Sequence, residues 1–404
     1  MSALPSPRPL ARIALVGGQV VPVTGPPIDQ GVVLFADGLI EAVGDASLPI
    51  PSDAYRIDVT GCHVVPGLID PHTHLGVLPD GDGWADADVS EDYEAIGPRL
   101  RAVDAVNSAD MAFRDAVAGG VLAVGINPGS SCPIGGQAVA MRTHGHGMND
   151  MLLRAPCGMK SGIGENPKRD FGLKGRAPIT RMGTAAMIRR AVEDARRHLA
   201  AGDGTVDLDA DALGRVLSGE IPWRQHVHRA DDIVTAVRLA DEFGYRLVIE
   251  HGTEADRVAG LLAERDIPVI TGPLVVARFK DEMKNRSLGL PGRLAAAGVA
   301  VAICTDHGVV PVHCLAYQAA LAVREGLDPT TALAAITIVP ARILGVAEQL
   351  GSLEPGKDAD LCVWSGDPLD ARQRVLTAFV RGHRVYSYDT ERGVGVLDGE
   401  DWTL

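Results

Sequence analysis

The chain has 404 residues, of which 46% are hydrophobic and only 4% aromatic, and it carries a formal net charge of −14. This length predicts one large domain with a smaller one, and the negative charge argues against nucleic acid or an anionic membrane as a partner. No apolar stretch reaches the roughly 18 residues that a membrane-spanning helix needs. The six cysteines are scattered without a CxxC pair, and the start has no apolar leader. We therefore expect reduced thiols and a cytoplasmic location.

The chain up to residue 64 predicts β-structure. Short apolar runs at residues 13–16, 31–35 and 39–43 are separated by Gly, Pro and Asp-Gly turns. Runs of this length between such turns are typical of strands in a sheet.

The middle of the chain, residues 65–350, predicts alternating helices and strands. Residues 181–201 have apolar side chains at helical spacing, and residues 231–243 predict a second helix with Asp231 as its N-cap. The elements that follow are predicted as a strand at 245–249, a helix at 254–264, a strand at 267–270, a helix near 293–297 and a strand at 299–304. This alternation indicates parallel βαβ units, so an α/β fold with a closed (β/α)8 TIM barrel is expected.

The tail, residues 351–404, returns to β-structure. It predicts a strand at 361–364 and a hairpin at 378–386. Because β-rich ends flank the α/β middle, we expect residues 1–64 and 351–404 to form one small composite β-sandwich domain beside the catalytic barrel.

The segment Val-Val-Pro-Gly-Leu-Ile-Asp-Pro-His-Thr-His, residues 64–74, ends a predicted strand with two histidines one residue apart. Residues at i and i+2 of an extended chain share a face, so His72 and His74 can converge on one point. Two neutral imidazoles that converge suit a divalent metal such as zinc. For the pair taken alone, two polar residues in a loop after a buried strand remain an alternative.

Polar residues also follow other predicted strands. His226 and His228 follow residues 221–225, His251 follows the strand at 245–249, and Asp306 follows the strand at 299–304. In a parallel α/β barrel these strand ends meet at one rim, where active sites are found. Three histidine positions and an aspartate at four strand ends are a ligand set typical of a catalytic divalent metal.

These motifs resemble the metal-dependent amidohydrolase superfamily, and within it the imidazolonepropionase-like branch, which also contains dipeptidases. The resemblance runs from about residue 10 to 390 and includes PGLIDPHTHLG, HVHRADDI, IEHGTE, CTDH and GSLEPGKDADL. It implies a (β/α)8 barrel with a small β-sandwich. By position it implies His72 and His74 as first-strand ligands, His226 as the fifth-strand ligand, His251 as the sixth-strand ligand, and Asp306 as the eighth-strand ligand and proton shuttle.

The fourth strand decides whether one or two metals bind. Binuclear members of the superfamily bridge their metals with a carboxylated lysine, and Lys160 in Cys-Gly-Met-Lys-Ser-Gly resembles that position. Glu165 is the rival ligand, because a native carboxylate needs no modification. A structural role for both residues is the third alternative.

Four further residues are candidates for substrate contact. Gln137 ends a Gly-rich loop after the second strand, where backbone N–H groups can approach a ligand closely. Arg169 belongs to a cationic segment with Lys168, Lys174, Arg176 and Arg181, which a carboxylate-bearing substrate would explain as well as an ordinary solvated surface does. His144 in a predicted turn and His228 beside the fifth-strand ligand complete the set.

The expected function is hydrolysis of a C–N bond in an amide, cyclic amide or dipeptide. A metal would activate water, Asp306 would shuttle the proton, and His251 would help to polarise the carbonyl. Two alternatives stay open: a deaminase of a heterocyclic amidine that uses the same centre, and an inactive barrel that serves as a binding protein. Ala- and Leu-rich helices on the barrel exterior make a homo-oligomer an expectation.

Overall fold

The computed structural model describes residues 12–79, 87–202, 204–402 and 404. Residues 1–11 of the expected N-terminal β-region lie outside the described residues. Two sheets organise the chain: a ten-stranded sheet formed by its two ends and an eight-stranded barrel sheet formed by its middle. The expected α/β fold, a barrel sheet with helices and a separate sheet formed by both termini, is therefore confirmed, and the terminal strands form one continuous sheet.

The terminal sheet joins the first and last parts of the chain. Its strands, numbered in chain order, are β1 (Ile13–Val20), β2 (Ile28–Ala36), β3 (Leu39–Gly44), β4 (Tyr55–Asp58), β5 (His63–Pro66), β14 (Leu361–Trp364), β15 (Val375–Val380), β16 (His383–Asp389), β17 (Val394–Leu397) and β18 (Glu400–Trp402). The strand order is β18-β17-β16-β15-β14-β5-β1-β2-β3, and β4 pairs with β1. β14 pairs antiparallel with β5, so that Leu361 lies opposite Pro66.

The two faces of this sheet pack into different hydrophobic cores. In β14, Leu361 and Val363 pack into the core of the terminal sheet itself, whereas Cys362 and Trp364 pack into the core shared with the barrel. The alternation follows from the two-residue period of a strand. It attaches the sheet to the barrel through one apolar face.

The barrel sheet has the strand order β13-β12-β11-β10-β9-β8-β7-β6. Its strands are β6 (Leu68–Thr73), β7 (Val121–Ile126), β8 (Gly136–Arg142), β9 (Leu152–Gly162), β10 (Trp223–Val227), β11 (Leu247–His251), β12 (Val269–Thr271) and β13 (Val301–Ile303). The ends of the order meet just beyond the strands, where the Asp306 N–H donates to the His72 carbonyl at 3.1 Å.

The third barrel strand runs against its neighbours, contrary to the expected all-parallel barrel. β8 is antiparallel to both β7 and β9. Residues 127–135 connect β7 to β8 without a helix, and a connection this short makes a hairpin, because a parallel crossover needs about a dozen residues or more. The start of β8 therefore lies at the carboxyl end of the other strands.

The helices are α1 (Met111–Ala118), α2 (Met148–Met151), α3 (Glu165–Gly172), α4 (Arg181–Ala201), α5 (Leu208–Leu217), α6 (Ala230–Phe243), α7 (Ala259–Glu264), α8 (Leu290–Ala296), α9 (Leu315–Arg324), α10 (Pro329–Ala334) and α11 (Ile338–Leu344). The helix predicted at 181–201 is confirmed as α4. The predicted cap of α6 is wrong, because Arg229 occupies the N-cap position and Asp231 pairs with its guanidinium at 2.7 Å instead. Within the described ranges, none of these helices has the length and apolar character to cross a membrane.

Arg142, the last residue of β8, links the barrel to the terminal sheet. Its side chain is 1% exposed and pairs with Asp358 and with Asp360, the latter through Nε at 2.8 Å. Asp360 also accepts the Arg381 N–H at 2.7 Å. A buried arginine with two carboxylates is tolerated because each charge has a partner, and removing one partner leaves a buried charge uncompensated.

We expect Arg142→Met to lower the free energy of unfolding by about 3–5 kcal/mol, because it leaves the buried carboxylate of Asp360 without a charged partner. Urea unfolding followed by circular dichroism measures the loss. Arg372→Met is the matched control, since Arg372 pairs with Asp370 in an exposed position, and it should leave the unfolding midpoint unchanged. Equal effects of the two substitutions would contradict the structural role of the buried pair.

Candidate metal centre

The candidate metal centre lies at the carboxyl end of the barrel strands. β6 carries His72 and is followed directly by His74, β10 carries His226, β11 ends at His251, and Asp306 follows β13. Four strands distant in sequence thus direct five polar side chains to one rim. The rim is the place where the barrel topology concentrates functional groups.

His72, His251 and Asp306 form the tightest group, with one ligand atom from each within 4.8 Å of the others. The ring centroids of His72 and His251 are 4.8 Å apart, and those of His226 and His251 are 4.6 Å apart. His228 joins the same cluster, 4.8 Å from His226 and 5.3 Å from His251. The structure therefore brings His228 among the predicted ligands.

Backbone carbonyls hold one nitrogen of His74 and one of His251. The Nδ1–H of His74 donates to the Asn127 carbonyl at 2.8 Å, and that of His251 donates to the Gly272 carbonyl at 2.7 Å. A carbonyl oxygen only accepts, so the proton must lie on Nδ1 in both rings. Each Nε2 then presents a lone pair, which is the state that a metal ligand requires.

The other two rings also have one occupied and one available nitrogen. His226 Nε2 lies 3.2 Å from the Asn166 amide nitrogen, and His228 Nδ1 lies 2.8 Å from the Thr253 hydroxyl. His226 Nδ1 and His228 Nε2 are buried and have no hydrogen-bond partner among the described residues. A buried polar atom without a partner is costly, so these two nitrogens fit a metal ion or another bound group.

Burial keeps His226, His228 and His251 neutral, whereas at His72 burial is outweighed by the neighbouring carboxylates, Glu250 first among them, which raise the pKa. Burial lowers the pKa of His251 to about 3, and burial together with the neighbouring rings holds the pKa values of His226 and His228 well below the usual value. Burial would raise the pKa of Asp306, but the neighbouring histidines, His251 first among them, hold that pKa well below its usual range. The neutral imidazoles of His226, His228 and His251 and the ionised carboxylate of Asp306 are in the form that binds a metal.

Glu250, next to His251, is a site residue that the sequence analysis does not single out. Its Oε1 lies 3.1 Å from His72 Nδ1 and accepts from Arg224 Nε at 2.8 Å, and its Oε2 pairs with Lys160. The side chains of Glu250, Arg224 and Lys160 are fully buried, and buried charges persist when they are paired. The sequence feature that could have identified Glu250 is a carboxylate in a strand that is otherwise mainly apolar.

Lys160 and Glu165, the two candidates for the fourth-strand ligand, occupy different places. Lys160 lies on β9, the fourth barrel strand, opposite Arg224 on β10. Burial lowers the pKa of its amine, although Glu250 opposes this effect. Glu165 begins α3 and lines a cleft outside the cluster.

Asp70 connects the first barrel strand to the segment that follows the last one. It is a second site residue that the sequence pattern does not reveal. Its carboxylate accepts the His72 N–H at 3.1 Å, the Thr305 N–H at 3.0 Å and the Thr305 hydroxyl at 2.5 Å. Burial raises its pKa to about 7 despite the bonds from Thr305 and His72. Asp70 thereby positions the segments that carry His72 and Asp306.

Two of the ligand candidates sit in strained backbone. His251 has φ +69° and Asp306 has φ +53°, in the left-handed region that residues other than glycine seldom adopt. Such a conformation costs on the order of 1–3 kcal/mol and persists where surrounding structure imposes it, which is frequent at functional sites. Both strand ends turn sharply here.

The remaining predicted substrate residues lie in separate places. Gln137, at the start of β8, is at the correct end of the barrel, but its amide donates to the Pro98 carbonyl at 3.0 Å. His144 follows the other end of β8 and bonds to Asp398 at 2.9 Å, because the reversed strand carries it away from the rim. Arg169 lines the cleft outside the cluster and donates to Asp170 at 2.7 Å.

Most cationic side chains in the segment around Arg169 already interact with other groups of the protein. Lys174 pairs with Asp92 at 3.0 Å, and Arg176 donates to the Tyr93 carbonyl. Arg181 pairs with Asp232 at 2.8 Å and with Glu282 at 2.7 Å. The local excess of positive charge therefore serves largely to hold loops together.

Comparisons with known proteins agree with this geometry. The sequence profile of the amidohydrolase family matches residues 171–385. The chain is 30% identical to amidohydrolase tasK of Hapsidospora irregularis over 87% of its own length, but it spans only about two fifths (39%) of that relative. It is 26% identical to an imidazolonepropionase of Symbiobacterium thermophilum, over 89% of this chain and 92% of the relative. The crystal structure of an amidohydrolase from Thermotoga maritima MSB8 superposes with a TM-score of 0.89 at 40% identity, covering 92% of this chain and 99% of that one.

We expect Asp70→Asn to weaken metal binding by about 10–100-fold, because an amide cannot accept from all three donors that orient His72 and Thr305. Zinc retention against a chelator series measures the change. Asp58→Asn is the matched control, since the Asp58 carboxylate accepts the N–H and hydroxyl of Thr60 at an exposed site. Unchanged zinc retention in Asp70→Asn would show that Asp70 does not position the centre.

Proposed function

Because the chain belongs to the amidohydrolase family, whose members are hydrolases, we propose that it cleaves a C–N bond of an amide, cyclic amide or dipeptide at the His72, His251 and Asp306 centre. The observation that carries the proposal is the convergence of these three ligand atoms within 4.8 Å. Buried imidazole nitrogens without partners in the described part of the chain surround the group.

A divalent metal fits the donor set, and zinc suits imidazole nitrogen and carboxylate oxygen. His72, His74, His226, His251 and Asp306 would hold it. When bound, the ion would lower the pKa of water and polarise the scissile carbonyl. The protein residues orient the substrate and move the protons.

Asp306 is the proposed proton shuttle. Its Oδ1 lies 3.3 Å from His72 Nε2 and 3.4 Å from His74 Nε2, so the carboxylate is held at the centre of the rim. There it can accept a proton from the attacking water and deliver it to the leaving nitrogen. Its position after β13 keeps it at the reaction site throughout both transfers.

His228 is the residue that we propose to orient the substrate carbonyl. Since the Nδ1–H of His251 donates to the Gly272 carbonyl, its Nε2 has no proton to give. His251 is therefore better suited to binding metal than to the carbonyl-polarising role expected from sequence. His228 Nε2 is available beside it, and its Nδ1 can accept from the Thr253 hydroxyl.

Lys160 is the proposed fourth-strand ligand in carboxylated form. Its amine is fully buried on β9, and its charge contributes, after burial, to lowering the pKa values of His226 and His251. An ammonium there repels a metal, whereas addition of CO2 to the neutral amine, with loss of a proton, gives a carbamate whose two oxygens share one negative charge. The proposed ligands, four imidazoles and the Asp306 carboxylate, outnumber the ligands of one four-coordinate ion, so we propose two ions per chain.

A ring amidine is the second substrate class that the same centre would accept, with release of ammonia. The histidine and aspartate ligands expected for catalysis are all present, which argues against an inactive binding barrel. A substrate panel of N-acyl amino acids, dipeptides, lactams, imidazolones and ring amidines, tested on the zinc-loaded protein, separates these functions. Hydrolysis of no compound on the panel would contradict the enzymatic proposal.

We expect Asp306→Asn to lower kcat by about 10²–10⁴-fold on every substrate that the wild type hydrolyses, because the amide cannot take up the proton. Steady-state kinetics measures the loss, and circular dichroism confirms the fold. Asp398→Asn is the matched control: Asp398 has φ +52°, close to that of Asp306, but it lies beside His144. It should retain wild-type kinetics, and full activity of Asp306→Asn would refute the shuttle.

A further inference from the structure

Lys280 is a cation that the catalytic proposal does not use. It precedes the short 3-10 helix Asp281–Met283 and is half-buried. Its ammonium lies 5.5 Å from the centroid of the Phe279 ring. Across the described ranges of the chain, no carboxylate comes within ion-pair distance of it. A partly buried lysine without such a partner is unusual in a protein with 52 acidic residues.

The segment after Lys280 separates the metal centre from an outer cleft. On the inner side, Met283 lines a small cavity with His228 and His251. On the outer side, Asp281 and Glu282 line a cleft of about 720 Å³ that extends from the start of α3. Lys280 directly precedes this segment.

The charge of Lys280 interacts with Asp306 in the metal centre and with Glu165 in the outer cleft. Its positive charge contributes to lowering the pKa values of His226 and His228. Burial lowers the pKa of Lys280 itself, while the charge of Asp306 opposes that change. The ammonium thus acts electrostatically on the same residues that are proposed to bind metal and substrate.

The arginines of the outer cleft differ from Lys280, because each already pairs with a carboxylate of the protein. The pairs are Arg169 with Asp170, Arg181 with Asp232 and Glu282, Arg229 with Asp231, and Arg257 with Glu254. These pairs reduce the charge that the arginines can offer to a ligand. Lys280 keeps its charge for an anion that comes from outside the protein.

We propose that Lys280 determines substrate specificity by binding a free carboxylate next to the scissile C–N bond. The substrate is then an N-acyl amino acid or a dipeptide with a free carboxyl terminus, and a neutral cyclic amide is a poor substrate. The proposal rests on the proposed hydrolase function. A carboxylate held by Lys280 places the adjacent amide towards His228 and Asp306, because the segment after Lys280 borders the cavity of His228.

The test uses zinc-loaded protein and a set of dipeptides and N-acyl amino acids, each paired with its C-terminal carboxamide. For free-carboxylate substrates, Lys280→Met should lower kcat/KM by about 10–100-fold, because a charge-assisted hydrogen bond is lost. For the carboxamides it should have little effect. Thermal stabilisation by the same compounds gives a second readout that needs no turnover.

Lys284→Met is the matched control, because Lys284 lies four positions further along the same segment and lines the outer cleft. Loss of the carboxylate preference in Lys280→Met but not in Lys284→Met supports the proposal. Equal use of carboxylates and carboxamides by the wild type, or a preference that survives in Lys280→Met, overturns it while leaving the hydrolase function intact. If nothing is hydrolysed but free carboxylates stabilise the wild type and not Lys280→Met, the Lys280 site stands and the hydrolase function fails. If the compounds are neither hydrolysed nor bound, both proposals are wrong.

Discussion

The need of buried polar atoms for partners governs the carboxyl rim of this barrel. Glu250 Oε1 lies at ion-pair distance from His72 Nδ1, and backbone carbonyls satisfy one nitrogen each of His74 and His251. The Nε2 lone pairs of His74 and His251 remain available at the barrel rim. A divalent cation is the partner that neutral imidazoles and a carboxylate share. The metal proposal follows from this balance of donors and acceptors.

The hydrogen bonds and ion pairs that hold the rim residues in place involve several parts of the fold. Asp70 fastens the first strand to the segment after the last strand, and the Asp306 N–H donates to the His72 carbonyl where the barrel closes. Arg142 fastens the opposite end of β8 to the terminal sheet. Because the ligands come from strands that are distant in sequence, their geometry depends on this closure. The strained φ values of His251 and Asp306 are maintained by the same packing.

The sequence predicts the ligands better than their supports. His226 and His251 lie in the last residues of their strands and Asp306 follows a third strand, so the strand pattern and the barrel topology together predict that they meet. Glu250 and Asp70 lie within strands, where a single polar residue does not reveal which neighbour it bonds. The antiparallel direction of β8 was not predicted, because an apolar strand has the same hydrophobic pattern in either chain direction. The short connection at 127–135 was its one local sign, and the reversal explains why His144 lies away from the rim.

The proposed reaction requires a centre of imidazole nitrogen and carboxylate oxygen at the barrel rim. X-ray absorption at the zinc edge, combined with the zinc content of the wild type and of Lys160→Met, tests this claim most directly. We predict a first shell of nitrogen and oxygen at about 2.0–2.2 Å, with two ions in the wild type and one in Lys160→Met. Sulfur in the shell would indicate a cysteine such as Cys304 and contradict the centre, as would a wild-type protein that binds no zinc. Two ions in Lys160→Met would refute the ligand role of Lys160.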